Sequence, residues 1–228
     1  MPHDRFYVQG PLRPHTRVEL GGEEAHHLRV MRKRQGDTVE LINGQGALAK
    51  ASVGEKNSLS IEEVVVMEEP KPRLILAQAL PKPNRLDLIL EKGTELGAAT
   101  FLLFPGERSE KKELSPSQLE RAHRIIVAAT KQCGRLYLPE VVVMPPLKEW
   151  SPFPRSALFG DIREGAPKLK DALPEGDEIT FFVGPEGGFS DRELGLLEKQ
   201  AQGVKLHPLI LRTDTAPLVA LALLTHLI

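Results

Sequence analysis

The sequence predicts a protein of the α/β class, in which a small β-barrel-like region precedes a parallel sheet with helices on both faces. After residue 70, short apolar runs alternate with amphipathic helical patterns, whereas most earlier segments are short and rich in β-branched residues. Between these two regions, the segment EEPKP (68–72) has two prolines among charged residues, as in a short stiff connector. We therefore expect two domains, 1–69 and 70–228.

The first domain is expected to contain four strands and one short helix. The strands are predicted at 16–20, 38–42, 47–53 and 59–66, and the helix at 23–31. Asn43-Gly44 lies between two strands and is a strong hairpin signal, because both residues tolerate the positive φ of a tight turn.

The second domain is expected to alternate strands and helices as far as the end of the sequence. Its strands are predicted at 74–79, 100–104, 141–144, 157–159, 179–183 and 205–210. Asn84 and the capping boxes Ser115–Gln118 and Ser190–Glu193 mark the starts of three helices. Gly97 is expected to end the first of them. A fourth helix, at 216–228, is the last predicted element.

Two loops of the second domain are the strongest candidates for a functional site. VGPEGGFS (183–190) follows an apolar strand, and its glycines let the backbone approach a ligand without an intervening Cβ. LILRTDTAPLVAL (209–221) is predicted to repeat the strand–loop–helix plan. In an open α/β sheet both loops would lie at the carboxyl ends of neighbouring strands, where ligands bind. Two ordinary strand–helix turns are the alternative interpretation.

Several chemistries fit these loops poorly. The glycine loop has no lysine for a Walker phosphate site, and its spacing differs from the dinucleotide-binding fingerprint. A hydrolase triad could be drawn from Ser190, His207 and Asp214, but Ser190 is better explained as a helix cap. The histidines show no metal-ligand spacing, so we expect no metal site.

Composition limits the function classes further. Hydrophobic residues make up 41% of the 228 residues and the formal net charge is -1, so any nucleic-acid surface must be a local basic patch. One cysteine excludes an internal disulfide and a zinc site built on cysteine pairs. With no apolar run long enough for a signal peptide or a membrane span, a cytoplasmic location is expected.

Five motifs in order resemble one family. They resemble segments of the RsmE family of 16S rRNA uridine-N3 methyltransferases. The five motifs are VGPEGGFS, LILRTDTA, LEKGTELGA (90–98), FPGERSE (104–110) and QCGRLYLPEV (132–141). That family belongs to the SPOUT superfamily, so the resemblance implies a trefoil knot in the second domain and a homodimer. The region from RFYV (5–8) to HHLRVMRKRQGD (26–37) is similar to the family's PUA-like RNA-binding domain.

The resemblance implies S-adenosyl-L-methionine as cofactor, bent among three loops. This donor is cationic at sulfur and has no phosphate, which explains the missing lysine. Glu186 is expected to neutralise the sulfonium or to cap the following helix. The implied cofactor contacts are Phe159, Gly160, Val183, Gly184, Glu186, Gly187, Gly188, Leu206, Leu209, Ile210, Leu211, Arg212, Thr213, Thr215 and Ala216.

Methylation of uracil N3 requires loss of the N3 proton, which places negative charge on O2 and O4. Arg212 is the expected cation; a salt bridge to Asp214 or a phosphate contact is an equal alternative. Glu95 and Glu186 are the candidate bases. The target base is expected to flip out of its stack.

The expected RNA contacts are local basic residues: Arg5, Arg29, Arg32, Lys33, Arg34, Lys82, Arg85, Lys92 and Arg108. Taken alone, RVMRKR is more often a solvated helix end. The expected partner is 16S rRNA, free or within the small ribosomal subunit. A non-catalytic RNA-binding or ribosome-assembly factor and a hydrolase with a reactive Ser190 are the rival hypotheses.

Overall fold

A computed structural model describes residues 4–228 and separates the chain into two compact units. The first unit contains the residues up to Glu69 together with Val127–Leu138, and the second contains Pro70–Ile126 and Pro139–Ile228. The stretch Val127–Leu138, which lies in the second expected domain, therefore has its contacts within the first unit. Among residues 4–228, no helix combines the length and the apolar character that a membrane crossing requires.

The first unit is a five-stranded half-barrel with one helix. Its elements are β1 (Arg5–Tyr7), β2 (Arg17–Glu19), α1 (Gly22–Val30), β3 (Thr38–Ile42), β4 (Ala47–Val53) and β5 (Ser58–Val66). The strand order is β1-β3-β4-β5-β2, with β1 parallel to β3 and the other pairs antiparallel. Alternate residues of β4, from Ala47 to Val53, are buried, as expected for a sheet with one covered face.

The segment Val127–Leu138 is bound to the hairpin between β3 and β4. The amide of Leu138 donates to the Gly44 carbonyl at 3.0 Å, and the amide of Gly46 donates to the Leu136 carbonyl at 3.0 Å. A Cβ on Gly46 would lie 2.5 Å from the Tyr137 hydroxyl oxygen, so this close approach requires glycine.

The second unit alternates strands and helices around a six-stranded sheet that is parallel throughout. Its elements are β6 (Arg73–Ala79), α2 (Pro83–Glu95), β7 (Ala98–Phe104), α3 (Pro116–Cys133), β8 (Glu140–Val143), β9 (Ala157–Gly160), β10 (Glu178–Val183), α4 (Asp191–Gln200), β11 (Gln202–Val204) and α5 (Ala216–Leu227). The strand order is β11-β9-β10-β6-β7-β8. The last residues of α3 belong to the segment that lies with the first unit.

Both faces of this sheet are covered, which confirms the predicted α/β class. On one face Phe101 of β7 lies so close to α2 that a Cβ on Gly93 would be 2.7 Å from its ring and 3.5 Å from Leu221 of α5. On the other face Phe182 stacks on Phe153 with 5.2 Å between ring centroids, and Leu197 of α4 joins the same core.

Two local predictions are wrong. The strand expected at 205–210 is a loop; the edge strand β11 ends at Val204, and only Lys205 forms a bridge, with Lys168. Leu209 and Ile210 are 72% and 78% exposed, because their apolar side chains line a cavity instead of a sheet. Asn84 does not cap α2, which begins one residue earlier, at Pro83, because proline suits the first helical position.

Candidate active site

A cavity with a mostly apolar lining lies where β9, β10 and β11 end. It has a volume of about 760 Å³, within the usual range for small-molecule sites. Three loops form it: residues 160–163 after β9, 183–189 around the glycine loop, and 204–216 between β11 and α5. The loops lie at the carboxyl edge of the parallel sheet, the position where open α/β sheets bind ligands.

Most of the residues expected to contact the cofactor line this one cavity. They are Gly160, Val183, Gly184, Glu186, Gly187, Gly188, Leu206, Leu209, Ile210, Leu211, Arg212, Thr213 and Ala216. Two lie elsewhere. Phe159 is buried in the core beneath the loop, and Thr215 is an exposed residue whose Oγ1 donates to the Asp214 carboxylate at 3.2 Å.

The glycine loop leaves β10 in a tight turn that holds its backbone against the cavity. The amide of Gly188 donates to the Pro185 carbonyl at 2.8 Å. Gly188 has φ +68°, and a Cβ built there would meet no atom of the described residues within 4 Å. Glycine at this position therefore permits the backbone conformation and keeps open space in front of the main chain.

The predicted capping box at the start of α4 is confirmed. The Ser190 hydroxyl accepts from the Glu193 amide at 3.1 Å, and the Glu193 carboxylate accepts from the Ser190 amide at 2.9 Å. The buried Glu193 also accepts from the Glu107 amide at 2.9 Å, so it joins the loop after β7 to the glycine loop.

The other two members of the suggested hydrolase triad have partners of their own. His207 Nδ1 accepts from the Leu209 amide at 3.1 Å, and Asp214 binds Arg85. With Ser190 occupied in its helix cap, this constellation lacks the nucleophile–base–carboxylate geometry of a hydrolase.

Two arginines that were expected to contact RNA also line the cavity, and both are paired. Arg85 binds the Asp214 carboxylate through Nη1, and its Nε lies 3.6 Å from Oε1 of Glu186. Arg108 donates to the Gly187 carbonyl at 3.2 Å and lies 3.6 Å from Asp191. Their acceptors are far away in the sequence, so no local motif indicates these pairs.

Arg212 differs from the other cavity arginines. Within residues 4–228 its exposed side chain has no hydrogen bond or ion pair, and the alternative bridge to Asp214 is not formed because Asp214 binds Arg85. Its carbonyl accepts from the amides of Thr215 and Ala216 at 2.9 and 2.8 Å, which fixes the backbone turn that carries it.

The two candidate bases lie in different places. Glu186 lines the cavity, where its Oε1 accepts from the Lys82 amide at 3.2 Å. Glu95 lies near the end of α2, outside the cavity lining, and binds Lys92 at 2.8 Å. Hydrogen bonds from its ammonium to Glu91 and Glu95 raise the pKa of Lys92.

Asp161 is a cavity residue that the sequence analysis missed, although it lies only two residues after a predicted strand. Arg163 lies 2.7 Å from its carboxylate. Hydrogen bonds from the Arg163 guanidinium lower the pKa of Asp161, so this carboxylate stays ionised at neutral pH. The wall formed by the loop after β9 therefore carries an ionised carboxylate that is paired with the guanidinium of Arg163.

In the first unit, the expected RNA contacts fall into two groups. Arg29, Arg32 and Arg34 are exposed, and their side chains have no hydrogen bond or ion pair in the described part of the chain. Lys33 binds Asp4, and Arg5 is only 8% exposed and binds Glu40 at 2.7 Å. Burial and pairing argue against direct phosphate contact by Arg5.

Two family models match the chain in sequence order. An RNA methyltransferase PUA domain matches residues 20–64, and an RNA methyltransferase domain matches residues 67–225. Ribosomal RNA small subunit methyltransferase E of Bacillus subtilis is 32% identical over 91% of this chain and 89% of the relative. The chain belongs to the ribosomal RNA small subunit methyltransferase E family. The predicted RsmE resemblance is thereby confirmed.

Other relatives and solved structures support membership of the same family. The Synechocystis enzyme of the same name is 34% identical over 92% of this chain and 73% of that protein. The crystal structure of the Neisseria gonorrhoeae enzyme bound to S-adenosyl methionine covers 98% of this chain and 97% of its own, with TM-score 0.89 and 30% identity. A Legionella pneumophila methyltransferase in complex with the same cofactor gives TM-score 0.85 and 29% identity, covering 97% of this chain and 96% of its own.

Proposed function

We propose that this chain transfers the methyl group of S-adenosyl-L-methionine to N3 of a specific uridine in the 16S rRNA of the small ribosomal subunit. The observation that carries the proposal is the cavity at the ends of β9, β10 and β11, which three loops form with a mostly apolar lining. The family relatives support the reaction class.

The residues present fit the cofactor. Leu209 and Ile210 offer apolar surface suited to the faces of an adenine ring, and exposed main-chain groups beside them could bind its edge. The carboxylates of Asp161 and Glu186 line the cavity, each paired with an arginine, and a carboxylate suits a cationic sulfonium better than it suits a phosphate. When bound, the cofactor supplies an electrophilic methyl group.

Arg212 is the proposed catalytic cation. Its exposed guanidinium has no acceptor within residues 4–228, so it is available to the negative charge that develops on uracil O2 or O4. Of the two candidate bases, Glu186 lies at the cavity and is the one we retain for removal of the N3 proton. Glu95 lies outside the cavity lining, which argues against it.

RNA is proposed to bind the exposed arginines of the first unit, Arg29, Arg32 and Arg34, because their guanidinium groups have no partner within residues 4–228 and are free to meet phosphate. A homodimer, a trefoil knot in the second unit and action in the cytoplasm are further parts of the proposal. Their support is the family to which the chain belongs.

The test is a methylation assay with small ribosomal subunits or 16S rRNA from a strain that lacks this modification. With the purified chain and labelled S-adenosyl-L-methionine, we expect label in one uridine, identified as the N3-methylated nucleoside by mass spectrometry. A methyl group on another base or atom would correct the proposed target. RNA binding without cofactor binding, measured by calorimetry, would instead indicate a non-catalytic assembly factor.

A further inference from the structure

Arg85 joins three segments of the chain at the cavity. It is the third residue of α2; its Nη1 binds Asp214 in the turn before α5, and its Nε lies 3.6 Å from Glu186 in the glycine loop. The side chains of Arg85 and Asp214 are 28% and 15% exposed. Shielding from water makes such contacts stronger than those of an ordinary surface pair.

Each acceptor is close in sequence to a group that the proposed reaction needs. Asp214 lies two residues after Arg212, within the turn closed by the hydrogen bonds to the Arg212 carbonyl. Glu186 directly precedes Gly187 and Gly188. The Lys82 amide, at the start of α2, donates to the same Glu186 oxygen, so the helix end holds this carboxylate at two points.

We propose that Arg85 is a positioning residue for methyl transfer rather than an RNA contact. It fixes the glycine loop and the Arg212 turn relative to each other, so that one surface binds the cofactor and presents Arg212 to the base. This inference rests on the proposed function. The guanidinium of Arg85 is already paired with the carboxylates of Asp214 and Glu186, which makes Arg85 a poor partner for phosphate.

The guanidinium shape matters for this role. A planar fork can reach two acceptors from one side chain, whereas a lysine ammonium acts as a single point charge. Arg85→Lys is therefore expected to retain one contact and part of the function, and Arg85→Met to lose both.

The matched control is Arg121→Met. Arg121 of α3 binds Asp87 of α2 at 2.7 Å, so the substitution also breaks an arginine–carboxylate pair of α2, and Arg121 lies outside the cavity lining. Thermal unfolding of every variant checks that its fold is retained.

The experiment measures the Kd for S-adenosyl-L-methionine by calorimetry, kcat and KM for RNA, and the salt dependence of RNA binding. For Arg85→Met we expect about tenfold weaker cofactor binding, a lower kcat and an unchanged salt slope. Arg85→Lys should fall between this variant and the native chain, and Arg121→Met should match the native chain. Asp214→Asn should weaken cofactor binding similarly, and the double variant should be little worse than either single one.

Cofactor affinity within twofold of the native chain in both Arg85→Met and Asp214→Asn would overturn the inference. So would a salt slope reduced by about one unit at unchanged cofactor affinity, since that result identifies a direct phosphate contact. If Arg85→Met fails to fold, Arg85→Lys and Asp214→Asn decide by the same criteria. A native chain that binds no cofactor would refute the proposed function itself, which is a separate outcome.

Discussion

The arginines of the two units differ in whether their side chains bind acceptors within the chain. Around the cavity of the second unit, Arg85 and Arg108 bind acceptors within the chain, whereas Arg29, Arg32 and Arg34 of the first unit have none in residues 4–228. Paired arginines fix loops in place, and unpaired ones are free to meet an anion from outside. Two arginines depart from this division: Arg212 lies at the cavity and has no partner within residues 4–228, and Arg5 of the first unit binds Glu40.

The pairing of the arginines distinguishes RNA binding by the first unit from cofactor binding by the second, a distinction that the net charge of the chain does not reveal. The chain has a formal net charge of -1, so its affinity for RNA must come from local positive charge that is not neutralised within the fold. At the cavity, in contrast, the paired charges act mainly by fixing the positions of the loops that form it.

Arg212→Ala should lower kcat by about 10²–10³-fold, because removing one donor to a developing negative charge has an effect of this size. Affinity for the cofactor should change little, since the side chain is exposed and has no partner in the described chain that its loss would disturb. Single-turnover methyl transfer and cofactor calorimetry measure the two quantities. A purely weaker RNA affinity at unchanged kcat would identify Arg212 as a phosphate contact instead.

Gly188→Val should weaken cofactor binding by about tenfold or more, because a side chain at φ +68° is strained by roughly 1–2 kcal/mol. Its Cβ would also enter space that contains no atom of the described residues within 4 Å. Gly195→Val in α4 is the control, since a Cβ there is likewise uncontacted and no positive φ is involved. Calorimetry of both variants checks this; equal affinities would contradict the assigned role of the glycine loop.

Simultaneous replacement of Arg29, Arg32 and Arg34 by alanine should reduce the salt slope of RNA binding by about 2–3 units, because each lost phosphate contact contributes roughly 0.7–0.9. Cofactor affinity should not change. RNA binding at several salt concentrations gives the slope. An unchanged slope would place the RNA surface elsewhere.

Arg5→Met should lower the free energy of unfolding by about 1 kcal/mol, because it leaves the half-exposed Glu40 without its partner. Chemical denaturation measures this change. The salt slope should stay that of the native chain, since Arg5 is buried; a slope lower by one unit would show that Arg5 reaches phosphate after all.

Local patterns predicted the parts of the site that depend on local chemistry. The box Ser190–Glu193 and the glycine loop could be found because backbone geometry restricts residue type within a few positions. The strand expected at 205–210 was wrong because apolar residues that line a cavity give the same signal as those of a buried strand.

Long-range pairing accounts for what the sequence did not predict. Arg85 and Asp214 are 129 positions apart, and Arg108 and Gly187 are 79 apart, so only the sheet topology brings them together. For the same reason Arg5 resembled a surface cation although Glu40 of the neighbouring strand neutralises it. Charged residues of the site such as Arg85, Arg108 and Arg212 could therefore be named from sequence, whereas Asp161 and the pairing of these charges could not.

The central claim is that backbone from three loops at the ends of β9, β10 and β11 encloses the methyl donor. A crystal structure of the chain grown with saturating S-adenosyl-L-methionine tests it most directly. We expect cofactor density between Gly160, the glycine loop and residues 209–212. Density at another place, or none at a concentration that saturates binding in solution, would contradict it.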